Sequence, residues 1–132
     1  MKAMLDTNIC VDIIRERRQP VLDRFMMYDV GDIGISVVTL AELEYGVSAS
    51  RRPAKNRVAL DQFVSPLEIV AFDRPATTAY GRLRAALEKK GQMIGSMDLL
   101  IAAHAVSLNV RLVTHNAREF GRVPGLKIED WE

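Results

Sequence analysis

Two spacings alternate along the chain: short apolar runs rich in β-branched residues, and longer stretches in which apolar residues recur every three or four positions. Ala3-Met4-Leu5 is the first short run and stops abruptly at Asp6, the pattern of a buried strand with an acid at its C-terminal end. Thr7 or Asn8 is placed to cap a helix whose apolar face is Ile9, Val11, Ile13 and Ile14, ending near Arg18. Gln19-Pro20 breaks it and opens a second helix, with Val21, Leu22, Phe25 and Met26 at helical spacing. Residues 29–32 form a turn. Ile33 to Val38 is a second strand, ended by Thr39, and Leu40, Leu43 and Val47 mark the helix that follows. Residues 49–53 are a basic loop, Val58 to Val64 a helix, and Leu67 to Phe72 a third strand. Asp73-Arg74-Pro75 opens a long helix through Lys90, closed by Gly91 in the C′ position. A loop over 91–98, with Ser96 as cap, leads into an apolar helix from Leu99 to Leu108. Val110 to Thr114 and Leu126 to Ile128 are the fourth and fifth strands.

Strands alternating with helices predict a single three-layer α/β/α domain over residues 1–132, with a mostly parallel central sheet of about five strands. In such sheets ligands bind beyond the carboxyl ends of the strands. Chemistry is therefore expected at Asp6, and its candidate partners are Glu42, Asp98 and Glu119. Glu42 falls in the first turn or so of its helix. Glu44, two residues on, points to another face. Asp98 falls in the first turn of its helix, where the macrodipole favours negative charge. His104 follows Asp98 by six residues, about 600° of helical rotation and so roughly 120° off the same face, which reads as a structural histidine rather than a ligand. Trp131 reads as a packing residue against the sheet end.

Composition changes this picture little. A chain of 132 residues suffices for one domain with its own core. The lone Cys10 has no partner within the chain, which suits a reducing compartment and excludes a thiolate metal cage. No signal-peptide pattern and no apolar run of about 20 residues occur, so a cytoplasmic protein without a membrane span is expected. Net charge is +1, yet basic residues cluster at Arg15, Arg17 and Arg18, at Arg51, Arg52, Lys55 and Arg57, and at Arg82, Arg84, Lys89 and Lys90. Such flanks offset the repulsion between an acidic pocket and an approaching polyanion.

Several carboxylates in one crevice raise one another's pKa unless a cation compensates them. Hard oxygen donors without paired histidines or thiols favour Mg²⁺, with Mn²⁺ as an alternative, over Zn²⁺. That donor set suits phosphodiester hydrolysis. Rival chemistries lack parts: Asn8 stands where an aspartyl phosphotransferase needs a second acid, no glycine loop follows the first strand, and neither histidine accompanies a nucleophile elbow.

The motifs Met4-Leu5-Asp6-Thr7-Asn8, Thr39-Leu40-Ala41-Glu42-Leu43-Glu44-Tyr45-Gly46, Ile94-Gly95-Ser96-Met97-Asp98-Leu99-Leu100-Ile101-Ala102-Ala103-His104-Ala105, Thr114-His115-Asn116-Ala117-Arg118-Glu119-Phe120 and Glu129-Asp130-Trp131 resemble those of PIN-domain ribonucleases of the VapC toxin family. They stand in the family's order over nearly the whole chain. The resemblance implies a Mg²⁺-dependent endoribonuclease toxin, cytoplasmic, homodimeric and neutralised by a VapB-type antitoxin, with structured RNA such as initiator tRNA among the substrates of the most similar members. It implies that Asp6 and Asp98 bind the metal and that Glu42 orients water or binds the cation less closely. Many members carry Asp where Asn116 stands, and Glu119 is the candidate to supply that missing charge. A non-cleaving PIN scaffold and a DNA-directed nuclease are the alternatives.

Overall fold

Ala3, Met4 and Leu5 are all buried because β1 (Ala3–Leu5) runs through the middle of a parallel sheet that is covered on both faces. The computed structural model describes residues 1–132, in the order β1, α1 (Thr7–Ile14), α2 (Gln19–Met26), β2 (Ile33–Ser36), α3 (Val37–Ser48), α4 (Pro53–Val64), β3 (Glu68–Val70), α5 (Arg74–Lys90), α6 (Ser96–Leu108), β4 (Arg111–Val113), α7 (Ala117–Phe120) and β5 (Ile128–Glu129). The strand order is β3-β2-β1-β4-β5, every neighbouring pair parallel. Side chains alternate across the sheet. Ala3, Leu5, Ile33, Ile35 and Val113 join a core with α1 to α4, whereas Met4 and Leu112 join a second core with α5 and α6.

The chain builds β1, β2 and β3 in one direction and then crosses to the other side of β1 to add β4 and β5. The carboxyl ends of β1 and β4 therefore flank the switch point of the sheet, where a crevice opens. The backbone N–H of Asp6 donates to the Val113 carbonyl at 3.0 Å, which pins Asp6 at the rim of this crevice.

Element boundaries depart from the sequence pattern in informative places. The strand expected over Ile33 to Val38 ends at Ser36, whose Oγ accepts from the Val38 N–H at 3.0 Å. This cap turns the β-branched Val37 and Val38 into the start of α3 and places Glu42 in its second turn. Asp6, not Thr7 or Asn8, caps α1, its Oδ1 accepting from the Ile9 N–H at 3.0 Å. Helix α1 ends at Ile14 rather than near Arg18, since residues 15–18 are all charged and offer no apolar face to extend the packing, and Glu16 turns left-handed with φ 53°. Pro53 at N1 starts α4 five residues before Val58. Gly95, not Ser96, precedes α6 as the cap residue, and so the cap position has no side chain to accept from the first turn. Strand β3 is shorter than expected, and β5 lies at Ile128–Glu129 rather than at Leu126 to Ile128.

His104 and Trp131 are both core residues. Trp131 packs into the first core and stacks on Tyr28, ring centroids 5.5 Å apart. His104 is fully buried on α6, its Nδ1 2.8 Å from Ser36 Oγ and its ring edge-on to Phe72. Burial depresses the His104 pKa, against the opposing charge of Asp73 and the backbone at Ala71. A histidine held neutral contributes stability above the ordinary histidine pKa of about 6.5 and loses it as pH falls, because the unfolded chain takes up the proton first. His104→Gln should cost about 1–3 kcal/mol at pH 7 by disturbing the Ser36 bond. It should also give a shallower decline in Tm between pH 7 and pH 5 than the parent chain, measured by thermal melts across that range.

Candidate functional site

Asp6 is nearly buried, and both its oxygens are engaged: Oδ1 caps α1, and Oδ2 accepts from the Thr114 hydroxyl at 2.5 Å. Thr114 is itself fully buried at the end of β4 and accepts from the Asn116 N–H at 3.0 Å. Burial raises the Asp6 pKa, while the Thr114 hydroxyl, the Ile9 N–H, the His115 charge and the Asn8 N–H pull it back. Glu42 reaches the same rim from α3, its Oε1 accepting from the Thr7 hydroxyl at 2.5 Å. Glu44 points away and pairs with Arg57.

Asp98 lies in the first turn of α6 and faces Glu119 from α7. Glu119 is held on both sides: Oε1 accepts from the Gly95 N–H at 2.9 Å, and Oε2 accepts from Asn116 Nδ2 at 3.1 Å. Asn116 in return accepts the Glu119 N–H with Oδ1 at 3.3 Å, so residue 116 caps α7 and fixes the carboxylate one turn on. A Cβ built on Gly95 would stand 3.6 Å from Asp98 Oδ2 and 3.7 Å from Glu119 Oε1, so this glycine lies against both acids.

The four acids picked out in the sequence therefore converge. Their mutual repulsion is visible at Asp98, whose pKa is pushed up to about 6, first by burial, then by the charge of Glu119 and a hydrogen bond with it, and then by the charges of Asp6 and Glu42. Glu119 moves the opposite way, lowered chiefly by the Gly95 N–H and further by Asn116, Asp98 and the charge of Arg122. No lysine or arginine forms an ion pair with Asp6, Glu42, Asp98 or Glu119. This oxygen-rich donor set, with negative charge left uncompensated, fits a hard divalent cation.

No three of these acids bring their ligand atoms within 4.8 Å of one another. The group whose ligand atoms all lie within 4.8 Å of one another is elsewhere: His115, Asp130 and Glu132. That second group carries its own counter-charge, since Arg18 pairs with both Asp12 and Glu132. Wider spacing suits Mg²⁺, which keeps several waters and takes only one or two protein carboxylates.

Thr7 and Thr114 are the participants that the sequence pattern did not single out as site residues. Thr114 was legible only as the polar end of a strand, and Thr7 only as a helix-cap candidate. Next to Thr7 and Glu42 a groove of 420 Å³ runs between α1, α3 and α4, with Val11, Ile14, Leu43 and Leu60 in its walls and Arg15 and Lys55 at its edge.

Residues 3–126 match the model of the PIN domain family. The chain is 46% identical to Ribonuclease VapC2 of Rickettsia felis, covering 98% of this chain and 97% of the relative. It is 43% identical to the tRNA(fMet)-specific endonuclease VapC of Shigella flexneri, covering 99% and 98%. Among solved structures, it superposes on a chain of VapBC2 from Rickettsia felis bound to a DNA fragment from their promoter with a TM-score of 0.93 at 44% identity, covering 100% of both chains. It superposes on a chain of DNA-bound VapBC from Salmonella typhimurium with a TM-score of 0.95 at 40% identity, covering 100% and 99%. The crevice of acids at the sheet switch point, the all-parallel fold and these full-length matches place the chain in the VapC family of PIN-domain ribonucleases.

Proposed function

We propose that this ribonuclease hydrolyses RNA with Mg²⁺ held by Asp6 and Asp98, with Mn²⁺ able to replace it, as the toxin of a toxin–antitoxin pair. The observation that carries the reading is the raised pKa of Asp98 among three other acids. A bound divalent cation would neutralise these charges, polarise the scissile phosphate and activate water. Thr114 keeps the second oxygen of Asp6 in place, and the first is committed to the α1 cap, so Asp6 cannot swing away from the crevice. Thr7 does the same for Glu42, which is set to orient water or to bind the cation less closely. Glu119 adds charge on the far side of Asp98. Relatives named tRNA(fMet)-specific endonuclease support initiator tRNA as the substrate.

Purified protein should cleave RNA with Mg²⁺ or Mn²⁺ and lose activity in EDTA; undiminished cleavage in EDTA would end this reading. Asp98→Asn should abolish cleavage and stabilise the metal-free protein. The sign follows from the raised pKa. The unfolded carboxyl ionises near pH 3.8, whereas the folded one ionises near 6, so stability falls as pH rises between these values and stays reduced above them. Allowing for the solvent exposure of this group, the gain at pH 7 is roughly 1–2 kcal/mol. Thermal melts of both proteins in EDTA at pH 4 and pH 7 measure it, with the difference confined to the higher pH.

Glu119→Gln should weaken Mg²⁺ affinity about tenfold, as loss of an outer partner commonly does. It also turns an amide nitrogen toward the Gly95 or Asn116 donor. Adding Asn116→Asp reverses the pair, since a carboxylate at 116 can accept from the Gln amide, and should restore part of the affinity measured by calorimetry. An effect on Tm alone would assign Glu119 to the α7 cap.

The groove beside Glu42 suits a VapB-type antitoxin: an apolar helix against Val11, Ile14 and Leu43, followed by an arginine or lysine that reaches the carboxylates. VapBC complexes among the structural neighbours support such a partner. The basic side chain would replace the charge of the metal. Inhibition titrated at several Mg²⁺ concentrations should therefore weaken as Mg²⁺ rises; inhibition independent of Mg²⁺, from an antitoxin whose basic tail residues tolerate alanine, would reject charge replacement.

A further inference from the structure

Residues 130–132, which follow β5, are tied to the elements that carry Asp6 by a set of polar contacts not needed to build the sheet. His115 Nδ1 is 2.7 Å from Asp130 Oδ1, and its Nε2 is 3.4 Å from Asp12 Oδ2 on α1. Arg18 pairs with Asp12 and with Glu132. Asp130 Oδ1 also accepts the Glu132 N–H at 3.1 Å, which folds the segment around its own carboxylate. Between these residues Trp131 is buried on Tyr28.

The position of His115 gives this network its meaning. It stands between Thr114, which donates to Asp6, and Asn116, which holds Glu119. Its Nε2 also faces Asp12 on α1, the helix that Asp6 caps, at 3.4 Å and without a hydrogen bond. Only 17% of the His115 side chain is exposed, so the ring has little freedom to seek other partners. A shift of the ring would move the 114–116 turn and, with it, the hydroxyl on Asp6 and the amide on Glu119.

We propose that His115 and Asp130 are positioning residues for the metal site: the segment after β5 acts as a strap that sets the 114–116 turn and so the placement of Asp6 and Glu119. This rests on the reading of the four acids as a metal centre. Neither residue touches the substrate or the cation, and their effect reaches the site through Thr114 and Asn116. The route runs by hydrogen bond from Asp130 to His115, along the backbone of the 114–116 turn, whose Asn116 N–H donates to Thr114 Oγ1, and by hydrogen bond from Thr114 to Asp6.

The test is Mg²⁺ affinity by calorimetry in a double-mutant cycle of His115→Ala and Asp130→Ala, with emission of Trp131, the single tryptophan, reporting whether the strap is docked. Each single change should weaken Mg²⁺ binding about threefold or more. The double variant should be no weaker than the singles, and Asp130→Asn, which keeps the acceptor oxygen, should recover most of the loss. Trp131 emission should shift in both alanine variants in the absence of metal. Unchanged Mg²⁺ affinity in folded variants with lowered Tm and shifted emission would overturn the proposal and leave a purely structural strap; additive losses would overturn the claim that the two residues act together. Should His115→Ala fail to fold, Asp130→Ala decides alone, because its side chain lies at the surface and is 44% exposed. Absence of any Mg²⁺ binding by the parent protein would instead sink the metal-centre reading, and this proposal with it.

Discussion

Like charge gathered at the carboxyl end of β1 is the constraint around which this molecule is arranged. Four carboxylates from four separate segments face one another, and no lysine or arginine pairs with any of them. Left alone they would splay into solvent. Instead three of them are restrained by neighbours: Asp6 by Thr114 and the α1 N-terminus, Glu42 by Thr7, and Glu119 by Gly95 and Asn116. Asp98 has the least support among them and carries the largest rise in pKa. The repulsion is concentrated where a cation would relieve it most.

The sheet is what allows the gathering. Crossing from β3 to β4 past β1 leaves a crevice beyond the carboxyl ends of the paired strands β1 and β4, and both faces of the sheet are sealed by separate cores. Asp6 is thereby held at the edge of an otherwise apolar interior, where desolvation is strong enough to raise its pKa even against four favourable contacts. The same burial that makes the charge costly also keeps competing water and counter-ions away from it. Gathering these charges at the sheet end therefore works against stability.

Much of this was legible from residue order. The strand ending on Asp6 follows from a short apolar run that stops abruptly at an acid, and the first-turn position of Asp98 from the long apolar helix that begins beside it. Helical phase separates Glu42, which meets Thr7 at the rim, from Glu44, which turns to Arg57, although their helix starts earlier than the β-branched Val37 and Val38 suggest. There a single hydroxyl, Ser36 Oγ, outweighs intrinsic propensity. The roles of Thr7 and Thr114 were not legible, since a threonine at a strand end or helix start is common and only its partner 35 or 108 residues away gives it meaning. For the same reason nothing in the sequence joined residues 12, 18, 115, 130 and 132, which come together only after the sheet has brought β4 and β5 beside α1.

Helix α1 is the element shared by these features. Its N-terminus is capped by Asp6, Thr7 on its first turn holds Glu42, Val11 and Ile14 line the groove on one side, and Asp12 meets His115 on the other. An eight-residue helix is too short to be stable alone, so its position is set by what it packs against. Anything that seats against Val11 and Ile14, or anything that loosens Asp12, acts on the same short lever that places Asp6. A protein filling the groove would therefore have two means of silencing the site: a charge inserted among the carboxylates, and a small displacement of α1 itself. The first depends on competition with the metal and the second does not, so the Mg²⁺ dependence of inhibition separates electrostatic replacement from mechanical displacement within one binding surface.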